Sequence, residues 1–343
     1  MNITASTGPL LSITIPTFNR GKLLGILLDS VARDFPVWPE DLEVVVLDNA
    51  STDDTRVQVQ QRIESGLPVK LIANKTNIGM DGNLAACFDA TTAKYLWQIG
   101  DDEVLHRGAC YFVLEFCRRN EFGLLHIECV GFTKDQQAEQ LARTIPENVD
   151  VHAMDSSEIF RRANIYLTFI SANVINRQAL RHHDPNFDPK LEMNTFLPQL
   201  AWIYAVLKAS SQHFYVRTPL FGALGGNTSG YRLVEVFGVN LQAITERQLG
   251  STLPGASRLM ANAVLTRLLP GEIMSLSRVA ANGGNRFESE DLIRVLKEAF
   301  TPSFYLHWCT IPMLSGSRFR RHITFFFVRA INKINRALNY AWL

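Results

Sequence analysis

The sequence lacks the features that mark several classes of protein. Its 343 residues include no run of 18 apolar residues and no basic start followed by an apolar stretch, so neither a membrane-spanning helix nor a signal peptide is predicted. The five cysteines form no C-x-x-C pair, which excludes an encoded zinc knuckle or disulfide framework and leaves them as expected core residues. A net charge of +1 argues against nucleic acid as a partner. These absences favour a globular protein of the cytoplasm.

The glycine patterns of common phosphate-binding loops are absent too. The sequence contains neither a Walker A motif nor a G-x-G-x-x-G fingerprint. Its densest glycine clusters, at residues 222–227 and 282–285, are typical of turns. The segment Gly225-Gly-Asn-Thr-Ser-Gly-Tyr231 has a second interpretation, as a mobile loop that closes over a bound ligand.

Acidic residues stop at Glu298, whereas six basic residues follow it. They are Arg318, Arg320, Arg321, Arg329, Lys333 and Arg336. Four apolar residues of the same tail recur at helical spacing: Phe327, Ile331, Ile334 and Leu338. This pattern suits a helix that lies in the interface of an anionic membrane. The alternative is a C-terminal helix that packs on the protein body and leaves its basic face solvated.

Apolar residues make up 47% of the sequence, which is enough for a large core. Their spacing predicts strands at residues 11–16, 43–47, 69–73 and 95–99, and helices at residues 22–35, 54–64 and 83–90. This alternation predicts an α/β fold with an open, mostly parallel sheet and helices on both faces.

The rest of the sequence is predicted to be more helical. Helices are expected at residues 107–120, from 156 onward, and at 196–209, 233–248, 258–269 and 291–300. A strand is expected at 123–127, and a polar loop or excursion at 132–150. We therefore expect an α/β domain at residues 1–230, with halves at 10–105 and 106–230. A helical C-terminal region is expected at residues 231–343.

Polar residues follow each of the four predicted strands, where an open α/β sheet binds its ligands. The loops read Pro16-Thr17-Phe18-Asn19-Arg20, Asp48-Asn49-Ala50-Ser51-Thr52-Asp53, Asn74-Lys75-Thr76-Asn77-Ile78-Gly79 and Asp101-Asp102-Glu103. Neighbouring carboxylates at a strand end need a compensating cation, and hard oxygen ligands in D-x-E spacing suit Mg²⁺ or Mn²⁺. The alternatives are a solvated acidic turn before the next helix and, for Asp48, an ordinary turn residue.

Together the four loops resemble those of the family-two glycosyltransferases with the GT-A fold, over residues 10–107. The resemblance implies a nucleoside-diphosphate sugar as donor, with Asp48 accepting a hydrogen bond from its base. Further nucleotide-binding positions are implied at Pro16, Thr17, Asn19, Ser51, Asn77, Gly79, Asp101 and Asp102. By the same resemblance Asp101-Asp102-Glu103 takes the place of the D-x-D motif, with Asp101 and Glu103 holding Mg²⁺ or Mn²⁺. Glutamate at the last position is a departure from that motif.

In this family the carboxylate that takes the acceptor's proton lies about 90 residues after the metal motif. Phe187-Asp-Pro-Lys-Leu-Glu192 falls in that window, so Glu192 is the first candidate for the catalytic base and Asp188 the second. A structural charge before the following helix is the alternative for Glu192. No Q-x-x-R-W segment occurs, which favours transfer of a single sugar over processive synthesis.

Residues 167–173 and 227–238 are most similar to the abequosyltransferase-like branch of bacterial O-antigen assembly, which transfers a dideoxyhexose to a lipid-linked oligosaccharide. We therefore expect a metal-dependent glycosyltransferase at the inner face of the cytoplasmic membrane. Two other functions stay open. A sugar-phosphate nucleotidyltransferase would need a glycine-rich basic loop after the first strand, which is missing. A non-catalytic sugar-nucleotide-binding protein would not need Asp48, Asp101 and Glu103 together.

Overall fold

The first hundred residues alternate between strands and helices in a computed structural model, described for residues 8–225, 232–279, 292–300, 303–315 and 317–337. In chain order these elements are β1 (Leu11–Thr17), α1 (Gly21–Arg33), β2 (Leu42–Asp48), α2 (Thr55–Glu64), β3 (Val69–Ala73), α3 (Gly79–Asp89) and β4 (Tyr95–Gln98). The predicted alternation is confirmed. α3 begins at Gly79 rather than at Asn83, because the Asn77 side chain accepts the Gly79 N–H (2.9 Å) and forms a turn that opens the helix early.

Short strands and helices continue the chain as far as residue 224. They are β5 (Val104–Leu105), α4 (Ala109–Arg119), β6 (Leu124–Phe132), α5 (Gln137–Ala142), β7 (Val151–Met154), α6 (Ser156–Ala163), β8 (Asn173–Asn176), α7 (Arg177–His183), α8 (Gln199–Ala209) and β9 (His213–Leu224). The segment predicted as a loop or excursion, residues 132–150, begins at the last residue of β6 and contains the short helix α5. Thr133 and Gln136 make a capping box ahead of α5, and Gln140 is buried with its amide oxygen 3.2 Å from His106 Nε2.

The strands form one sheet of nine in the order β3-β2-β1-β4-β8-β6-β9-β5, with β7 added beside β9. The four strands at one end, β3, β2, β1 and β4, are all parallel. Antiparallel pairs follow at β4–β8 and β8–β6. In the parallel part Thr17 pairs with Asp48, so the loops after β1 and β2 leave the sheet side by side.

Burial on both faces explains the apolar runs of the parallel strands. β1 and β2 are almost entirely buried, and the Leu24, Leu28 and Val31 side of α1 packs on them. Burying each such side chain contributes about 1.5–3 kcal/mol. The five cysteines are free thiols, four of them buried, as expected for core residues. The rigid part of the fold therefore lies directly beneath the loops at the strand ends.

The described residues divide into two compact units. An α/β unit takes those within Met1–Ile159, Leu167–Asn194 and Pro198–Asn227, and a helical unit takes those within Phe160–Tyr166, Thr195–Leu197 and Thr228–Leu343. The later helices are α9 (Leu241–Leu249), α10 (Ala256–Ala263), α11 (Leu269–Val279), α12 (Leu292–Ala299), α13 (Ile311–Ser315) and α14 (Arg318–Ala337). Among the described helices, none is both long enough and apolar enough to span a bilayer.

Candidate functional site

Asp48 ends β2 and is fully buried. Its Oδ1 atom accepts the Ser51 N–H at 2.8 Å, and its Oδ2 atom accepts from Arg56 Nε at 2.6 Å. These two bonds fix the turn between β2 and α2. Each carboxylate oxygen has a second lone pair, so Asp48 retains the capacity to accept from a ligand.

Asn19 joins the loop after β1 to the loop after β2. Its N–H donates to Ser51 Oγ at 2.9 Å, and its side-chain oxygen accepts the Thr52 N–H at 2.8 Å. Both loops contain a residue in the left-handed backbone region, Asn19 at φ 53° and Ala50 at φ 63°. Alanine is unusual there, and such strained positions cluster at functional sites.

Asp53 ties the starts of two helices together. Its carboxylate accepts the Gly21 N–H at the start of α1 (3.2 Å) and the Thr55 N–H at the start of α2 (3.0 Å). A negative charge beside two helix N-termini is favourable. A Cβ atom at Gly21 would lie 2.5 Å from Asp54 Oδ1, so only glycine allows this close approach of the two loops.

The loop before α3 is attached to the β2 loop through Asn49. The Asn49 amide nitrogen donates to Asn77 Oδ1 at 2.9 Å and to the Gly79 carbonyl at 3.2 Å, while its oxygen accepts the Ile78 N–H at 2.9 Å. Gly79 has φ 79°, a conformation that favours glycine. The structure thus brings Asn77 and Gly79 next to the Asp48 turn.

Asp101 lies beyond β4 and points back toward β1. Its Oδ2 atom accepts from Thr17 Oγ1 at 2.8 Å, and its Oδ1 atom accepts from the Arg20 guanidinium at 2.8 Å. Arg20 also reaches Asp102 at 3.0 Å. Burial, together with the charge of Asp102, raises the pKa of Asp101 to about 6 even though Arg20 and Thr17 oppose the shift.

Glu103 is buried beside Asp101 and is held by Ser171. Ser171 Oγ accepts the Gly100 N–H at 3.0 Å and donates to Glu103 Oε1 at 3.2 Å. The other carboxylate oxygen, Oε2, is buried with no hydrogen-bond partner among the described residues. Burial and the charge of Asp102 raise the pKa of Glu103 well above its usual range. Two acidic groups are therefore held close together without full compensation by protein donors.

Residues 12–182 match the family model described as "Glycosyl transferase family 2". The chain belongs to this family. The expected resemblance is confirmed, and the matched segment contains the four loops.

Curated relatives match over parts of their length. The chain is 34% identical over 97 residues to "Abequosyltransferase RfbV" of Salmonella typhimurium, which is 28% of this chain and 29% of that protein. It is 32% identical over 121 residues to "GalNAc(5)-diNAcBac-PP-undecaprenol beta-1,3-glucosyltransferase" of Campylobacter jejuni, 35% of this chain and 37% of that protein. The match thus spans about a third of these relatives.

Solved structures share the fold over nearly the whole chain. Staphylococcus aureus TarS 1-349, in complex with UDP-GlcNAc, superposes with a TM-score of 0.56 at 18% identity and covers 95% of this chain and 91% of its own. The mannosyltransferase PcManGT from Pyrobaculum calidifontis, in complex with GDP-Man and Mn²⁺, gives a TM-score of 0.51 at 15% identity, covering 98% and 88%. The expected GT-A type of fold with a helical C-terminal region is confirmed.

The donor set of this family-two chain fits a hard divalent cation. Asp101 and Glu103 present carboxylate oxygens, and the unpartnered, buried Glu103 Oε2 is an atom that a cation would satisfy. The described residues contain no cluster of three or more His, Cys, Asp or Glu side chains able to hold a metal.

The candidate bases lie in a turn-rich segment before α8. Glu192 is 1% exposed, whereas Asp188 is exposed and accepts the Lys190 N–H at 2.9 Å as an ordinary turn residue. The two candidates therefore differ in exposure, and the choice of Glu192 as the base stays a prediction. Pro16 lies within β1 opposite Leu47 and offers no N–H to a ligand. Residues 226–231, with the suggested closing loop, lie outside the described residues.

Three polar partners of the site had no role assigned from the sequence: Arg20, Arg56 and Ser171. Arg20 and Arg56 could have been suspected, because each stands close in sequence to an acidic loop that needs a cation. Ser171 lies 68 residues from Glu103 along the chain, and no local pattern connects them. Only the pairing of β4 with β8 brings the segment before β8 next to the acidic cluster.

Proposed function

We propose that the chain transfers a single sugar from a nucleoside-diphosphate sugar to a lipid-linked oligosaccharide in the synthesis of a surface polysaccharide. The observation that carries this proposal is the buried pair of Asp101 and Glu103 at the end of β4, with Glu103 Oε2 lacking a partner among the described residues. Burying two acidic groups without full compensation costs stability. The cost is explained if the two carboxylates bind a ligand.

The nucleotide would lie across the ends of β1 and β2. Asp48 would accept from the base, and Asn77 and Gly79 would contact the base and ribose through a loop already fixed by Asn49. Thr17 and Arg20 hold Asp101 toward the ribose and diphosphate. The structures of similar fold that contain UDP-GlcNAc and GDP-Man support a nucleoside diphosphate as the leaving group of the donor.

Asp101 and Glu103 would hold Mg²⁺ or Mn²⁺, and the Mn²⁺ held by the mannosyltransferase neighbour supports this assignment. When bound, such an ion neutralises charge on the diphosphate leaving group. Ser171 keeps Glu103 oriented, and Arg20 balances the charge of Asp101 and Asp102. Glu192 would take the proton of the acceptor hydroxyl as that oxygen attacks the sugar.

A lipid-linked acceptor calls for an enzyme that remains at a bilayer surface. The Campylobacter jejuni relative, named for an undecaprenol-linked substrate, supports this class of acceptor. The abequosyltransferase relative supports a dideoxyhexose such as abequose as the first donor sugar to try. We propose that α14 attaches the protein to the inner face of the cytoplasmic membrane through anionic lipids.

Nucleotide-sugar turnover in the presence of Mn²⁺ tests the proposal. Release of the nucleoside diphosphate from one sugar of a panel is expected, with complete loss in EDTA. Glu103→Ala should abolish turnover but keep part of the affinity for the nucleoside diphosphate, whereas Asp48→Ala should weaken that affinity. Full activity of both variants in EDTA would refute the assignment. Formation of a nucleotide sugar from a sugar phosphate would instead identify a nucleotidyltransferase.

A further inference from the structure

A cleft of about 600 Å³ lies within the helical unit, formed by α9, α10 and the segment that follows α12. This volume is within the range of small-molecule sites. Five of the residues lining it carry the argument: Glu246, Arg258, Asn262, Phe304 and Tyr305. All of them belong to the helical unit, whereas the residues of the candidate donor site belong to the α/β unit.

Asn262 is the feature of this cleft that points to a ligand. It is only 8% exposed, and its side-chain amide makes no hydrogen bond with any residue that the structure describes. Its amide atoms are not fully enclosed by protein, so water or a ligand in the cleft can complete their hydrogen bonds. An amide both donates and accepts, so its expected partner has the same dual capacity.

The other residues that line the cleft limit the kind of ligand it can bind. Glu246 and Arg258 are exposed on the cleft, and neither forms an ion pair with another described residue. The opposite charges of Glu246 and Arg258 leave the cleft with no net preference for a cation or an anion, whereas a neutral hydroxyl can donate to the carboxylate and accept from the guanidinium. Phe304 and Tyr305 add aromatic surface for an apolar face.

We propose that this cleft binds a neutral pyranose ring of a glycan. A sugar ring combines hydroxyls, which both donate and accept, with a flat apolar face of C–H groups. Asn262, Glu246 and Arg258 would bind the hydroxyls, and Phe304 would cover the apolar face. The site is a binding site without chemistry, and it does not depend on the transfer reaction.

Saturation-transfer NMR on the full chain tests the cleft with three probes, the methyl glycosides of glucose, galactose and mannose. At least one should bind with a millimolar dissociation constant. Asn262→Leu and Phe304→Ala should each raise that constant fivefold or more. Phe319→Ala removes another exposed ring, from α14, which does not line the cleft, and should leave binding unchanged.

Binding by none of the three glycosides overturns the proposal, and so does equal binding by wild type and Phe304→Ala. The Phe304 ring is 56% exposed, so that variant remains informative if Asn262→Leu does not fold. Asp101→Asn, in the α/β unit, should retain full glycoside binding. Loss of binding in Asp101→Asn would assign the sugar to the donor site and refute the cleft while leaving the proposed transfer intact.

Discussion

Ionisation of the buried Asp101 and Glu103 carboxyl groups destabilises the folded protein. Burial raises the pKa of both carboxyls, so the folded chain binds their protons more tightly than the unfolded chain does. The free energy of unfolding must then fall as pH rises from the unfolded value near 4 through about 6, and further as Glu103 ionises. For Asp101 the loss is on the order of 2–3 kcal/mol.

Glu103→Gln should therefore stabilise the metal-free protein at neutral pH while abolishing turnover. In EDTA the melting temperature of the wild type should fall more steeply between pH 5 and pH 7.5 than that of Glu103→Gln. Glu40→Gln, at an exposed position, is the matched control and should follow the wild type. Parallel pH profiles for wild type and Glu103→Gln would contradict the buried-charge account.

Glu192→Gln should lower turnover by roughly 10²- to 10⁴-fold, because the amide keeps the shape of the side chain but cannot take a proton. Donor binding and the circular dichroism melt should stay close to wild type. Asp188→Asn, in the same turn but exposed, should retain activity. If Asp188→Asn is the folded but inactive variant, Glu192 is not the base. If Glu192→Gln loses activity only by unfolding, Glu192 has a structural role.

At the level of elements, α14 carries two different apolar surfaces. Thr324 and Val328 are buried within the helical unit, and Asn332 donates to the Thr266 carbonyl at 2.7 Å. At about 100° per residue, Phe319 and Phe326 lie on the opposite side, where they are 77% and 65% exposed. Three more exposed residues continue that side: Ile323, Phe327 and Lys333.

This arrangement differs in detail from the stripe that the sequence suggested. Phe327 and Ile334 are exposed as that stripe requires, but Ile331 is partly buried and Leu338 lies outside the described residues. The spacing alone could not separate the packed side of α14 from the open one, since both are apolar. Contacts from other helices decide which side is covered.

Replacing Phe319 and Phe326 together by serine should reduce flotation of the full chain with anionic vesicles at low salt, since both rings are free to enter the lipid interface. Neutral vesicles should bind the wild type more weakly, and added salt should weaken binding to anionic ones. Tyr111→Ser removes an exposed ring from the α/β unit and should not change flotation. A wild-type chain that never floats would exclude the membrane role of α14.

For the whole molecule, a ligand that binds the folded state alone adds stability. A nucleoside-diphosphate sugar with Mn²⁺ at about 100 times its dissociation constant should add about 2.7 kcal/mol to the free energy of unfolding. That corresponds to a rise of roughly 4 °C in melting temperature for a chain of this length. The increment due to Mn²⁺ should disappear in Glu103→Gln. A screen of nucleotide sugars by thermal melting therefore identifies the donor even while the acceptor is unidentified.

The parallel half of the fold was predictable because its signals are local. β1, β2 and their helices each carry their own periodicity, and their loops follow directly in sequence. β9 (His213–Leu224) was missed, since Pro219 and Gly222 interrupt its strand pattern. Its pairing with β5, β6 and β7 joins segments far apart along the chain, which no local window detects. The Ser171–Glu103 contact escaped prediction for the same reason.

The three loops after β1, β2 and β3 behave as one part, because Asn19 joins the first to the second and Asn49 joins the second to the third. Anyone who wishes to give this protein a different nucleotide preference by grafting loops from another transferase faces a constraint. If only one loop were replaced, the hydrogen bonds that Asn19 and Asn49 make to the neighbouring loops would be lost. The three loops can therefore be exchanged only together, and a chimera should replace all three at once.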